Sequence, residues 1–152
     1  MKFVATEEIA APIDHVWRRV SDLEVFEDRF RKRVRGLSRD PAGPIHVDTV
    51  WSGKATIMGK VRAVEVRLCE FNAPASLETV AGTEGMVVTI RADLEALGAD
   101  RTRLIVTSEA RARSLAARLL LQSVRLGRKG VAHRYKERIA QFSEAIESSY
   151  SA

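Results

Sequence analysis

The stretch that decides the fold is SLAARLLLQSVRLGRKGVAHRYKERIAQFSEAIE, residues 114–147. Leu119, Leu120, Val124, Val131, Tyr135, Ile139, Phe142 and Ile146 recur in it at steps of three, four and seven, which places them on one stripe of an α-helix. Read as one helix from Ser114 to Glu147, it would run about 50 Å at 1.5 Å per residue. It contains no proline, but Gly127 and Gly130 sit near its middle, each costing roughly 1 kcal/mol relative to alanine. A local kink, or close packing against a sheet, accounts for them; a hinge over a cavity mouth is the alternative.

Working outward, the two segments before it are strands. Met86 to Leu97 puts Met86, Val88, Ile90, Ala92, Leu94 and Ala96 on one face and Thr89, Arg91, Asp93 and Glu95 on the other. Period two over this length describes an antiparallel strand with one wet face. Leu97-Gly98-Ala99-Asp100 turns the chain, and Thr102 to Ala112 follows with Leu104, Val106, Ser108 and Ala110 inward. Asp93 and Glu109 face outward, where cross-strand pairing with Arg91 or Arg111 explains them.

The chain opens with a strand from Lys2 to Ala10, ended by Ala11-Pro12. Pro12 suits the first turn of a helix. Asp14 to Val20 is a short helix, with Ile13, Val16, Trp17 and Val20 on one face; Trp17 belongs in the core. Ser21-Asp22 offers a cap for a second helix, Leu23 to Lys32, whose buried stripe is Leu23, Phe26 and Phe30. Arg33 to Arg39 is a weak strand with Val34 inward, and residues 40–44 (DPAGP) form a turn. Further strands cover Val47 to Met58, Val61 to Phe71 and Leu77 to Ala81. The order is one strand, two short helices, about six antiparallel strands and one long helix. The expected class is α+β: a curved antiparallel sheet wrapped around the last helix.

With 152 residues, 45% apolar and 30% charged, the chain is expected to be one domain, residues 1–152, with room for a core and a cavity. Only the end, Ser148–Ala152, is expected to be disordered. No apolar run reaches the roughly 20 residues that cross a bilayer. The N-terminus turns acidic at Glu7-Glu8, against a secretion signal. A single cysteine, Cys69, suits a reducing cytoplasm. The net charge of +5 is unevenly spread. Arg29, Arg31, Lys32, Arg33, Arg35 and Arg39 form one basic cluster; Arg111, Arg113, Arg118, Arg125, Arg128, Lys129, Arg134, Lys136 and Arg138 form another. Solvated faces are the plain reading. Attraction to anionic lipid, nucleic acid or an acidic ligand is the sharper one, and the scarcity of interleaved aromatics argues against nucleic acid.

No catalytic or metal centre is expected. His15, His46 and His133 are far apart and lack ligand spacing, and no cofactor motif occurs. Cys69 has no oriented base beside it and is expected to be inert.

The order of elements and several local sequences resemble the START-like, helix-grip superfamily, also called SRPBCC, which includes the polyketide cyclase/dehydrase and lipid-transport family. The likeness is carried by the strand Phe3–Ile9 running into Ala11-Pro12-Ile13-Asp14-His15-Val16-Trp17, by Val20-Ser21-Asp22, by the Trp51 strand, by the Phe71-Asn72-Ala73-Pro74 turn and by the basic, leucine-rich last helix. The resemblance implies an apolar cavity between sheet and last helix that binds a small hydrophobic molecule such as a lipid, quinone or polyketide. Its walls would come from Trp51, Val64, Val66, Leu68, Met86, Val88, Ile90, Leu104, Val106, Leu120 and Val124. Ser108 either satisfies itself locally or orients the ligand. A cyclase or dehydratase would need an acid–base group inside the cavity, and these inward positions supply almost none. A third expectation is weak docking on anionic membrane through the basic last helix. The oligomeric state is left open.

Overall fold

Strands pair edge to edge to satisfy their backbone hydrogen bonds, and here they build one sheet whose apolar face is left for helices to cover. A computed structural model describes residues 1–151. Strand β1 (Lys2–Ile9) leads into helices α1 (Ile13–Val20) and α2 (Leu23–Arg31). Strands β2 (Val34–Asp40), β3 (Val50–Ile57), β4 (Lys60–Asn72), β5 (Ser76–Thr83), β6 (Met86–Gly98) and β7 (Arg101–Ala112) follow, then helices α3 (Leu115–Leu126) and α4 (Arg128–Ser151). The sheet order is β1-β7-β6-β5-β4-β3-β2, and every pairing is antiparallel. This is the α+β helix-grip architecture expected from the sequence.

Register aligns the inward residues into rows. Leu68 pairs with Thr79, Thr79 with Ile90, Ile90 with Ser108 and Ser108 with Phe3. The next row joins Leu77, Ala92, Val106 and Ala5. Two irregularities interrupt the pattern. Cys69 sits in a bulge of β4 where the register shifts between Leu68 and Glu70. A second shift, between Arg35 and Ser38, surrounds Gly36 at φ +63° and accounts for the weak alternation of β2.

The short helices begin as their sequences dictate. Asp22 accepts a hydrogen bond from the Val25 amide (3.4 Å) at the start of α2, and Ser114 accepts one from the Ala117 amide (3.1 Å) at the start of α3. The core gathers Ile9, Val16, Trp17, Val20, Trp51, Leu68, Leu77, Leu94, Leu104 and Ile146, with Tyr135, Ile139 and Phe142 packed against it.

Three expectations change. The long last helix is two helices, broken at Gly127, whose backbone (φ −104°, ψ 21°) leaves helical geometry. Two low-propensity glycines within four residues locate the break. The single stripe is therefore divided: α4 turns Tyr135, Ile139, Phe142 and Ile146 to the sheet, while α3 buries Ala117 and Leu121 and leaves Leu119 exposed. The helix α4 continues through Ser151, so helix replaces the expected disorder over Ser148–Ser151; Ala152 lies outside the described residues. Finally, in the apolar stripe of α2, Leu23 and Phe26 are only half-buried and Phe30 is exposed, and the one fully buried side chain is Glu27.

Ile146 joins α4 to the core of the sheet. Replacing Ile146 by Ala is expected to cost about 3 kcal/mol, read from urea unfolding midpoints at an unchanged m-value.

Candidate ligand-binding site

Between the concave face of the sheet, α2 and α4 lies a cavity of about 390 Å³, within the size range of small-molecule sites. The sheet contributes Trp51, Val66, Leu77, Thr79, Ala81, Ile90, Ala92, Leu104 and Val106. Helices α1 and α2 contribute Val20, Leu23, Phe26, Glu27, Arg29 and Phe30, and α4 contributes Ile139 and Phe142. Phe30 and Ile90 line the cavity and are also exposed, so it opens to solvent between the end of α2 and β6.

Of the eleven wall positions expected from the sequence, Trp51, Val66, Ile90, Leu104 and Val106 border this cavity. Leu68 shares the concave face but is sealed in the core. Val64 lies instead at a shallow depression with Ser52, Gly53, Glu65, Arg67 and Cys69. Met86 and Val88 continue the concave face towards the Glu84–Gly85 turn, outside the cavity lining. Leu120 and Val124 belong to α3 and are not in the wall, because the break at Gly127 separates α3 from the helix that covers the cavity. Ser108 donates to the Tyr135 hydroxyl (3.0 Å), which donates to the Val106 carbonyl (3.0 Å). Its hydroxyl is thus engaged in pinning α4 to β7. Burial raises the Tyr135 phenol above its ordinary range, with the Ser108 hydrogen bond opposing.

The group missed in the sequence is Glu27. Its side chain is 5% exposed and forms part of the cavity wall. Oε2 accepts from Arg39 Nε (2.6 Å) and Trp51 Nε1 (2.7 Å); Oε1 accepts from Arg39 Nη2 (2.8 Å) and Arg31 Nη2 (2.9 Å). The Arg39 hydrogen bonds, followed by those from Trp51 and Arg31, outweigh desolvation and hold its pKa down at about 2. The signal was present: Leu23, Phe26, Glu27 and Phe30 fall at i, i+3, i+4 and i+7, so a carboxylate occupies one slot of an apolar stripe. Arg39 accordingly leaves the solvated face expected for the first basic cluster, whereas Arg31 reaches Glu27 while its side chain stays about half exposed.

The three histidines lie against structural partners. His15 Nε2 lies 2.9 Å from Ser149 Oγ and 3.2 Å from the Ile146 carbonyl, joining α1 to the end of α4. His46 Nδ1 is 2.7 Å from the Val47 carbonyl, and His133 is 3.8 Å from Glu137. No group of three or more histidine, cysteine or acidic side chains fit to hold a metal occurs among the described residues. Burial, with Glu78 nearby, raises the Cys69 thiol above its ordinary pKa, the opposite of what a nucleophile needs. Asp93 pairs with Arg91 (3.1 Å) and Glu109 with Arg111 (2.7 Å), two residues along the same strand instead of across the ladder. No helix among the described residues is long and apolar enough to cross a membrane.

No protein-family model and no curated protein matches the sequence. Solved structures do match. The Zhui aromatase/cyclase from Streptomyces sp. R1128 superposes with a TM-score of 0.62 at 18% identity, covering 97% of this chain and 93% of that one. Norcoclaurine synthase from Thalictrum flavum gives 0.64 at 10% identity, covering 98% and 95%; Ara h 8.0201 gives 0.59 at 16%, covering 99% and 97%. The chain has the helix-grip fold that these structures share. At these identities the likeness is one of fold.

Because the pKa of Glu27 is lowered from 4.5 to about 2 in the folded protein, its stabilising contribution is complete above about pH 4.5 and is lost as pH falls through about 2. Glu27→Gln is expected to be less stable than the parent at pH 7 by about 2 kcal/mol, less than the full linkage value because the amide oxygen can still accept part of the hydrogen bonding. The gap narrows from pH 5 towards pH 3 in paired thermal melts.

Proposed function

We propose that this protein binds one small hydrophobic molecule, of lipid, quinone or polyketide-like character, in the cavity between the sheet, α2 and α4. The observation that carries this reading is the wall itself. Apart from Thr79, Glu27 and Arg29, every lining residue is an aliphatic or aromatic side chain. Withdrawing apolar ligand surface from water against such a wall contributes roughly 25 cal/mol per Å². Arg29, at the end of α2, supports an orientation in which any polar end of the ligand points outward.

Binding without turnover is the reading favoured over a cyclase or dehydratase. Two of the similar structures are enzymes, but the acid that this cavity offers is Glu27. A general base must have a lone pair free and a pKa near the working pH. Glu27 has four donors on its two oxygens and a pKa of about 2. The single cysteine and the absence of a transmembrane helix among the described residues fit our placement of the protein in a reducing cytoplasm.

Titration with the apolar dye anilinonaphthalene sulfonate tests the proposal, read by dye emission and by quenching of the protein's tryptophan fluorescence. Saturable binding at one site is expected, with displacement by long-chain alcohols or quinones. Ala92→Phe, which fills the cavity floor, is expected to weaken dye binding at least about tenfold with the circular dichroism spectrum retained. Unchanged affinity in a folded Ala92→Phe protein would refute the assignment.

A further inference from the structure

The helix α3 is apolar on two opposite faces. Towards the protein it buries Ala117 and Leu121, with Leu120 and Val124 half-buried beside them. On the far side Leu115, Leu119 and Leu126 are 73%, 57% and 92% exposed. At 3.6 residues per turn these three leucines fall within an arc of roughly 40°, and Arg118 and Arg125 lie along its edge. No Asp or Glu occurs between Glu109 and Glu137, while Arg113, Arg118, Arg125, Arg128 and Lys129 all do. Among the described residues, none of Arg118, Arg125, Arg128 and Lys129 is paired with a carboxylate.

We infer that the outer face of α3 docks on an anionic lipid bilayer, with Leu115, Leu119 and Leu126 entering the boundary between headgroups and acyl chains and the arginines lying among lipid phosphates and carboxylates. A leucine ridge bordered by cations, with no acid to repel the surface, is the composition of a helix that lies in a membrane interface. Charge selects this occupant over two others. A second copy using the same face would bring one basic surface against another, since a two-fold interface is self-complementary. Nucleic acid would engage the arginines through phosphate and leave the leucines without a partner. The inference is independent of cavity occupancy.

Vesicle flotation tests it, with phosphatidylcholine alone and with phosphatidylcholine and phosphatidylserine in equal parts. The protein is expected to float only with the second and to be released by high salt. The triple variant Arg118→Gln, Arg125→Gln, Arg128→Gln is expected to bind on the order of a hundredfold more weakly. Leu115→Ser, Leu119→Ser, Leu126→Ser is expected to lose at least about tenfold. Both should retain the parental affinity for anilinonaphthalene sulfonate, which separates failure of docking from failure of the cavity. Equal binding to both vesicle types, or full binding by either triple variant, overturns the inference. So does self-association of the parent through these leucines, or duplex DNA binding, without flotation.

Discussion

One helix cannot cover seven strands. Six gaps of about 4.8 Å make the sheet nearly 30 Å across, whereas a helix with its side chains is about 10 Å wide. Curling the sheet around α4 narrows the difference without removing it. Helices α1 and α2, inserted after β1, cover part of the remaining concave surface, and what none of the helices reaches is the cavity. The apolar interior space thus follows from the mismatch between a broad sheet and narrow helices, with Ile139 and Phe142 on one side and Leu23, Phe26 and Phe30 on the other.

Glu27 shows how the margin of that space is held. A buried carboxylate is costly unless its hydrogen-bonding capacity is filled. Here Arg31 comes from its own helix, Arg39 from β2 and Trp51 from β3. The carboxylate therefore ties α2 to the edge of the sheet furthest from α4, where an apolar contact would give less directional control. On the other side, Ser108 and Tyr135 do a similar task with neutral groups, fixing α4 to β7 through the Val106 carbonyl. The two polar links bracket the apolar lining and set its width.

The architecture was legible because each element carried a local signal. Met86 to Leu97 alternates for its whole length, Asp22 and Ser114 mark helix starts, and the element order allows little besides a curled antiparallel sheet. The candidate site was legible only in part. Inward parity identified Trp51, Val66, Ile90, Leu104 and Val106 as facing the concave side, but parity cannot tell how far along a strand the covering helix extends. Met86, Val88 and Val64 have the right parity and lie beyond the cover. Leu120 and Val124 were assigned to the wall because the helix was read as unbroken. Glu27 was missed because a single glutamate in a helix ordinarily faces water; its partners Arg31 and Arg39 looked like members of a solvated cluster until β2 folded back beside α2.

The break at Gly127 also gives the two terminal helices independent phase. In a continuous helix, one inserted residue would rotate everything before it by about 100° relative to everything after. With the register reset at a glycine, the outward side of α3 can change its composition, its length or its direction by small sequence steps. Tyr135, Ile139, Phe142 and Ile146 would meanwhile keep their aim at the strands. The portion of the chain that meets the surroundings is thereby released from the geometric obligations of the portion that shapes the interior.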